Sequence, residues 1–286
     1  MSAEPSPAPP PSASPPPVSP LTPPPKTNNV PPPETSEEGS EAPSTTDDGS
    51  PLKKIIRVWV TGFGPFRNHN ANSSWAIVNS FKPQATIMTD TCKIILLPHP
   101  NHLRVSYHAV RTQIPPLHAI SPHIFDYMLH VGLGAPGEYR LERRAFEEGY
   151  MYGDVDNRLV NDEDAPPNRD IFLSEGVKER EPGGREFSCG LDLEWIVGQV
   201  EKPVETEKLP IKVSDDAGRF LCEYLYYSSL KAACDKEGKD RLRSEKVLFM
   251  HVPSLGEPFG VETGRKVLVE LVKAMVAAGE EKRFVD

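Results

Sequence analysis

The chain has no run of eighteen apolar residues, so none of its sequence reads as a membrane-spanning helix. Clusters of lysine and arginine interleaved with aromatics are missing too, and the net charge over 286 residues is −9. Neither nucleic acid nor an anionic membrane is therefore expected as a partner. Cysteine is scarce and unpatterned: Cys92, Cys189, Cys222 and Cys234 form no C-x-x-C pair and show no metal-ligand spacing. Free thiols in a reducing compartment fit this usage. Met1-Ser2-Ala3-Glu4-Pro5 offers neither the basic nor the apolar region of a secretory leader, and the expected location is the cytosol.

Large apolar residues are nearly absent from the first fifty positions, which instead hold sixteen of the 32 prolines. Such a composition buries too little surface to offset its ordering entropy, so residues 1–50 read as a disordered Pro/Ser-rich tail. Residues 52–286 remain, enough for one sizeable core.

What is present alternates. Ile55 to Val60 is a β-branched run closed by Thr61-Gly62, the pattern of a buried strand before a sharp turn. Asn72 or Ser73 then caps a helix through Trp75, Ile77 and Val78. The strand, glycine and helix order suggests a dinucleotide site, but Gly62-x-Gly64 is followed by Pro65, Phe66 and Arg67, and the third glycine is missing. Phe63 and Phe66 fit the walls of a small apolar pocket better. Further strands are expected at Lys93 to Leu97, Ile124 to Val131, Leu209 to Val213 and Lys246 to Val252, with helices around Val105 to Gln113 and over Val261 to Ala278. This alternation predicts an α/β sheet covered on both faces, with its site beyond the carboxyl ends of the strands. Residues 154–209 are polar and proline-rich apart from one amphipathic piece, Leu191 to Val200, and read as an irregular excursion from the sheet.

Three places carry chemistry. Cys222 opens a helix after a strand, where unpaired N–H groups and the helix dipole favour an anion and draw a thiol toward its thiolate. His251 ends a buried strand just before Pro253, and Glu142 follows the third strand after a Gly/Pro turn. Nucleophile, base and orienting carboxylate are the set that thiol acyl transfer requires. His99 and His102 flank Pro100, which breaks the helix that would bring both to one metal.

Thr61-Gly62-Phe63-Gly64-Pro65-Phe66 with Asn72-Ser73-Ser74, then Leu141-Glu142-Arg143, then Asp216-Ala217-Gly218-Arg219-Phe220-Leu221-Cys222, then Phe249-Met250-His251-Val252-Pro253 resemble, in order and spacing, the pyroglutamyl peptidase I family of cysteine peptidases. The resemblance runs from about Arg57 to Leu271. It implies a single-domain α/β/α sandwich with a mixed, mostly parallel central sheet (phosphorylase/hydrolase-like). It implies a Cys222, His251 and Glu142 triad, no metal and no cofactor. The substrate is expected to be a peptide with a pyroglutamyl N-terminus, its flat lactam held by Phe63 and Phe66 with Asn72 and Leu133 nearby. Leu133 stands where bacterial members carry a glutamine, and Gly153 where they carry an arginine. The rival expectation is a non-catalytic scaffold that binds partners through its Pro-rich tail.

Overall fold

A computed structural model describes residues 53–66, 71–121, 124–160, 183–200, 210–238 and 241–285. The expected tail and part of the 154–209 excursion lie outside them. Within the excursion the structure departs from an irregular segment: β7 (Gly183–Cys189) and α3 (Leu193–Val200) are both regular elements. The amphipathic piece is α3. β7 was masked in the sequence by its glycines and charges.

Alternating apolar runs build a seven-stranded sheet in the order β2-β3-β1-β4-β10-β5-β8. Its strands are β1 (Lys54–Gly62), β2 (Ala85–Met88), β3 (Cys92–Pro98), β4 (Tyr127–Leu133), β5 (Tyr139–Glu142), β8 (Ile211–Ser214) and β10 (Val247–Val252). The central four, β3, β1, β4 and β10, are parallel. β2 pairs antiparallel with β3, and β5 pairs antiparallel with β10 but parallel with β8. β6 (Arg144–Glu148), β7 and β9 (Arg243–Ser244) form a small second sheet.

Helices cover both faces because side chains alternate across each strand. On β4, Tyr127 turns its hydroxyl toward Gly279 of α5 (Val261–Glu280), while Met128 meets Ser229 of α4 (Leu221–Glu237) at 3.4 Å. α1 (Ser73–Asn79) packs with α5 on the first face, and α2 (Tyr107–Ile120) packs with α4 on the second. α2 runs past Pro115 and Pro116, where the sequence suggests a stop; both prolines are exposed, so the carbonyls they leave unbonded lie on the solvent side. β10 is buried at every residue, as the central strand of a doubly covered sheet should be.

Candidate active site

Register places the site residues before any side chain is considered. Phe249 of β10 lies beside His130 of β4 on one side and Glu142 of β5 on the other, and Thr61 of β1 continues the row beyond His130. Two residues further along β10, His251 pairs with Gly132. All of these share the face covered by α4. Glu142 is thus one row inside the sheet, on a strand running against β10, and not at a common carboxyl edge. Its neighbours Arg143 and Arg144 ion-pair elsewhere, with Glu194 and Asp215 and with Glu186, so Glu142 is not half of a surface ion pair with them.

Glu142 is fully buried, and its Oε1 lies 2.7 Å from Nδ1 of His251. That contact leaves Nε2 of His251 free of Glu142, and Cys222 is near enough to act electrostatically on the ring. Burial favours the neutral ring. Interaction with Cys222, together with Glu142, outweighs it and raises the His251 pKa to about 10. The imidazolium is the form this site favours. The neighbouring His130 is the opposite case: fully buried, 2.7 Å from the Thr61 hydroxyl, and pushed by burial well below the usual histidine value. The hydroxyl of Tyr226 donates to the Glu142 carbonyl at 2.9 Å, fixing the strand that carries the carboxylate.

Cys222 stands in the first turn of α4, where N–H groups have no partner within the helix. It is half-buried, whereas Cys92, Cys189 and Cys234 are buried. Burial pushes the Cys189 and Cys234 thiols up to about 12, so both are inert at neutral pH. Gly132 makes room for the Cys222 sulfur. A Cβ there would sit 3.0 Å from Cys222 Sγ and 2.8 Å from the Phe249 ring, and one at Gly134 would sit 2.6 Å from His251 Cβ. These close approaches explain why the end of β4 reads Gly-Leu-Gly.

A cavity of about 380 Å³ opens beside Cys222. Phe63, Phe66, Asn72 and Leu133 all line it, together with Val105, Pro136, Phe220 and Ser254. Among the described residues, no charged side chain lines it. Asn72 serves mainly to hold the pocket's shape. Its amide donates to the Gly64 carbonyl at 3.0 Å, its oxygen accepts the Ser74 N–H at 3.1 Å and the Ser74 hydroxyl at 2.8 Å, and the Ser74 hydroxyl oxygen in turn accepts the Phe63 N–H. Phe220 is a pocket-lining residue that the sequence did not single out. Its ring centroid lies 5.4 Å from that of Phe66 with the planes tilted by 44°, so the two rings touch in the pocket wall, with Phe63 more deeply buried. The available signal was its position two residues before Cys222.

No family model matches the chain. It is 28% identical over 234 residues to pyroglutamyl-peptidase 1 of Mus musculus, covering 81% of this chain and 93% of that protein. Against pyroglutamyl-peptidase 1 of Homo sapiens the identity is 27% over 229 residues, covering 79% and 91%. Among solved structures, pyrrolidone carboxyl peptidase from Thermococcus litoralis superposes with a TM-score of 0.56 at 19% identity, covering 80% of this chain and 96% of that one. Pyroglutamyl peptidase I from Bacillus amyloliquefaciens superposes with a TM-score of 0.51 at 22% identity, covering 79% and 96%. These structures share the fold of this chain, and the sequence likeness to the mammalian proteins supports the pyroglutamyl peptidase I family that the motifs resemble.

Proposed function

We propose that this chain is a cysteine-type omega peptidase that removes an N-terminal pyroglutamyl residue from peptides, with Cys222 as nucleophile, His251 as general base and acid, and Glu142 as the carboxylate that holds the imidazolium. The observation that carries the reading is the pairing of a cysteine, histidine and glutamate array with an aromatic pocket that has no charged side chain among its described lining residues. An N-terminal pyroglutamyl ring is flat and uncharged, and suits apolar walls with few polar partners; an ordinary ammonium terminus finds no carboxylate there.

In the first half-reaction the Cys222 thiolate bonds to the pyroglutamyl carbonyl carbon, and the charge moves to its oxygen. Unpaired N–H groups of the first turn of α4 lie at hand to stabilise that oxyanion. As the C–N bond breaks, His251 gives its proton to the leaving amine and a thioester remains. In the second half, His251 takes a proton from water, the hydroxide attacks the thioester, and the thiolate departs as pyroglutamate is released. Glu142 keeps Nδ1 protonated throughout, so Nε2 is the nitrogen that exchanges protons. The expected compartment remains the cytosol, on the strength of the unpaired cysteines.

Comparing fluorophore release from a pyroglutamyl amide and from the corresponding prolyl amide tests this reading. Release from the first alone is expected, because only the lactam carries the second carbonyl the pocket must orient. Release from neither would turn the account to the scaffold reading.

A further inference from the structure

Glu223, the residue after Cys222, is a fully buried carboxylate with no part in the chemistry above. A buried charge is costly unless it is both paired and hydrogen-bonded, and Glu223 is both. Its Oε1 accepts the Phe146 N–H of β6 at 3.1 Å. Its Oε2 accepts the backbone N–H of Arg219 at 2.9 Å and Nη1 of the same residue at 2.6 Å. The Arg219 guanidinium also lies 4.8 Å over the Phe146 ring and reaches Asp216 at 3.1 Å. Arg219 itself has a φ of +50° after Gly218 at +97°, a left-handed backbone that a non-glycine residue keeps only where its surroundings fix it. The donors gathered on one carboxylate do the fixing.

This left-handed turn delivers the residues that follow. Phe220 leaves it in an extended conformation with its ring against Phe66, and the helix then begins with Leu221 and Cys222. We propose that Glu223 and Arg219 form a charge-neutral clamp that positions the nucleophile and the facing pocket wall together, with Arg219 cancelling the carboxylate's charge beside the reactive thiolate. The inference rests on Cys222 being the nucleophile. A carboxylate at this helix position suits the helix dipole but opposes a thiolate one residue away, and the permanent arginine charge removes that opposition. Neither residue touches the reacting atoms; both are positioning residues. Among the described residues, the other titratable groups around Cys222 include His251 with Glu142 behind it, and His130 of β4, which burial keeps neutral. Tyr150 faces Glu223 and is kept protonated by burial, and Asp216 is exposed beside Arg219. None of these groups is a second permanent cation.

The test reads the thiol and not the peptidase. Iodoacetamide labelling of Cys222, followed by peptide mapping across pH, gives the midpoint of thiolate formation. Arg219→Gln should raise that midpoint by about one pH unit or more, and Glu223→Gln added to it should bring the midpoint back toward the native value, a compensation that a merely structural role does not produce. Arg219→Lys keeps the charge and guards against a poorly folded Arg219→Gln. It should hold the native midpoint while lowering kcat/KM on a pyroglutamyl amide by about tenfold, since a point charge holds the turn less firmly than a planar fork. A native midpoint in folded Arg219→Gln, or native kcat/KM in Arg219→Lys, overturns the clamp alone. If the native chain does not label Cys222 ahead of Cys92, Cys189 and Cys234, the nucleophile assignment fails and the clamp with it.

Discussion

The corner between β1 and α1 and the corner between β8 and α4 both feed the pocket, but they are built from different materials. The first is tied by neutral hydrogen bonds: Asn72 to Gly64, Ser74 to Phe63, and Gly64 to Leu103. The second is tied by charges: Arg143 and Arg144 grip Asp215, while Glu223 holds Arg219. Direction explains part of the contrast. β1 runs with β10, whereas β8 runs against it, so the chain must turn sharply after β8 to bring α4 to the site. The proposed function explains the rest. The first corner presents walls to an uncharged ring and gains nothing from attracting ions. The second must place a sulfur that becomes an anion, and its carboxylates are offset by arginines.

The contrast breaks most completely at the sulfur. Cys222→Ser should lower turnover by on the order of 10⁴-fold or more while the melting temperature stays close to native, because the hydroxyl is nearly isosteric but remains protonated. A stable, active serine variant would remove the charge-forming step that distinguishes the second corner.

Glu142→Gln comes next. Turnover should fall by roughly 10²- to 10⁴-fold, since the amide can hold the ring but cannot balance its charge. The pH profile gives the sign. Activity needs the protonated His251, so kcat/KM should fall on the alkaline side as the pH passes about 10. Removing the carboxylate's charge lowers the folded value, and that limb should move to lower pH. A limb that stays put would mean Glu142 does not act through His251.

Gly132→Ala should cost about 1–3 kcal/mol in stability through overpacking, and roughly 10²-fold in kcat by displacing the sulfur. Its added Cβ meets Cys222 Sγ and the Phe249 ring. Phe66→Ala, at the neutral corner, should be mildest, raising KM by about tenfold with kcat less affected, as expected for one aromatic face lost from a stacked ring. A larger loss in kcat than in KM would show that the neutral corner takes part in the chemistry and is more than a wall.

The fold was legible wherever apolar runs were long. β1, β3, β4, β10 and α5 announce themselves by periodicity, and the Asn72 cap of α1 forms as its residue type suggests. β2, of four residues, and β9, of two, were not legible. At the site, the order of Glu142, Cys222 and His251 could be read, but not how they meet. That depends on β5 pairing antiparallel with β10 at Phe249, a long-range register that no local pattern encodes. Phe220 was hidden for a similar reason, since its role is set by Phe66 on the opposite corner. Glu223 reads as an ordinary first-turn acid until Phe146 and Arg219 are seen to converge on it.

The central claim is that Cys222 carries the pyroglutamyl group during turnover, and rapid mixing with a pyroglutamyl amide, acid quenching and peptide mass mapping test it directly. The account predicts a transient mass increase of one pyroglutamyl group on the peptide bearing Cys222, released by hydroxylamine and absent from Cys222→Ser. Continued hydrolysis by Cys222→Ser, or the same mass increase on another residue, would contradict it.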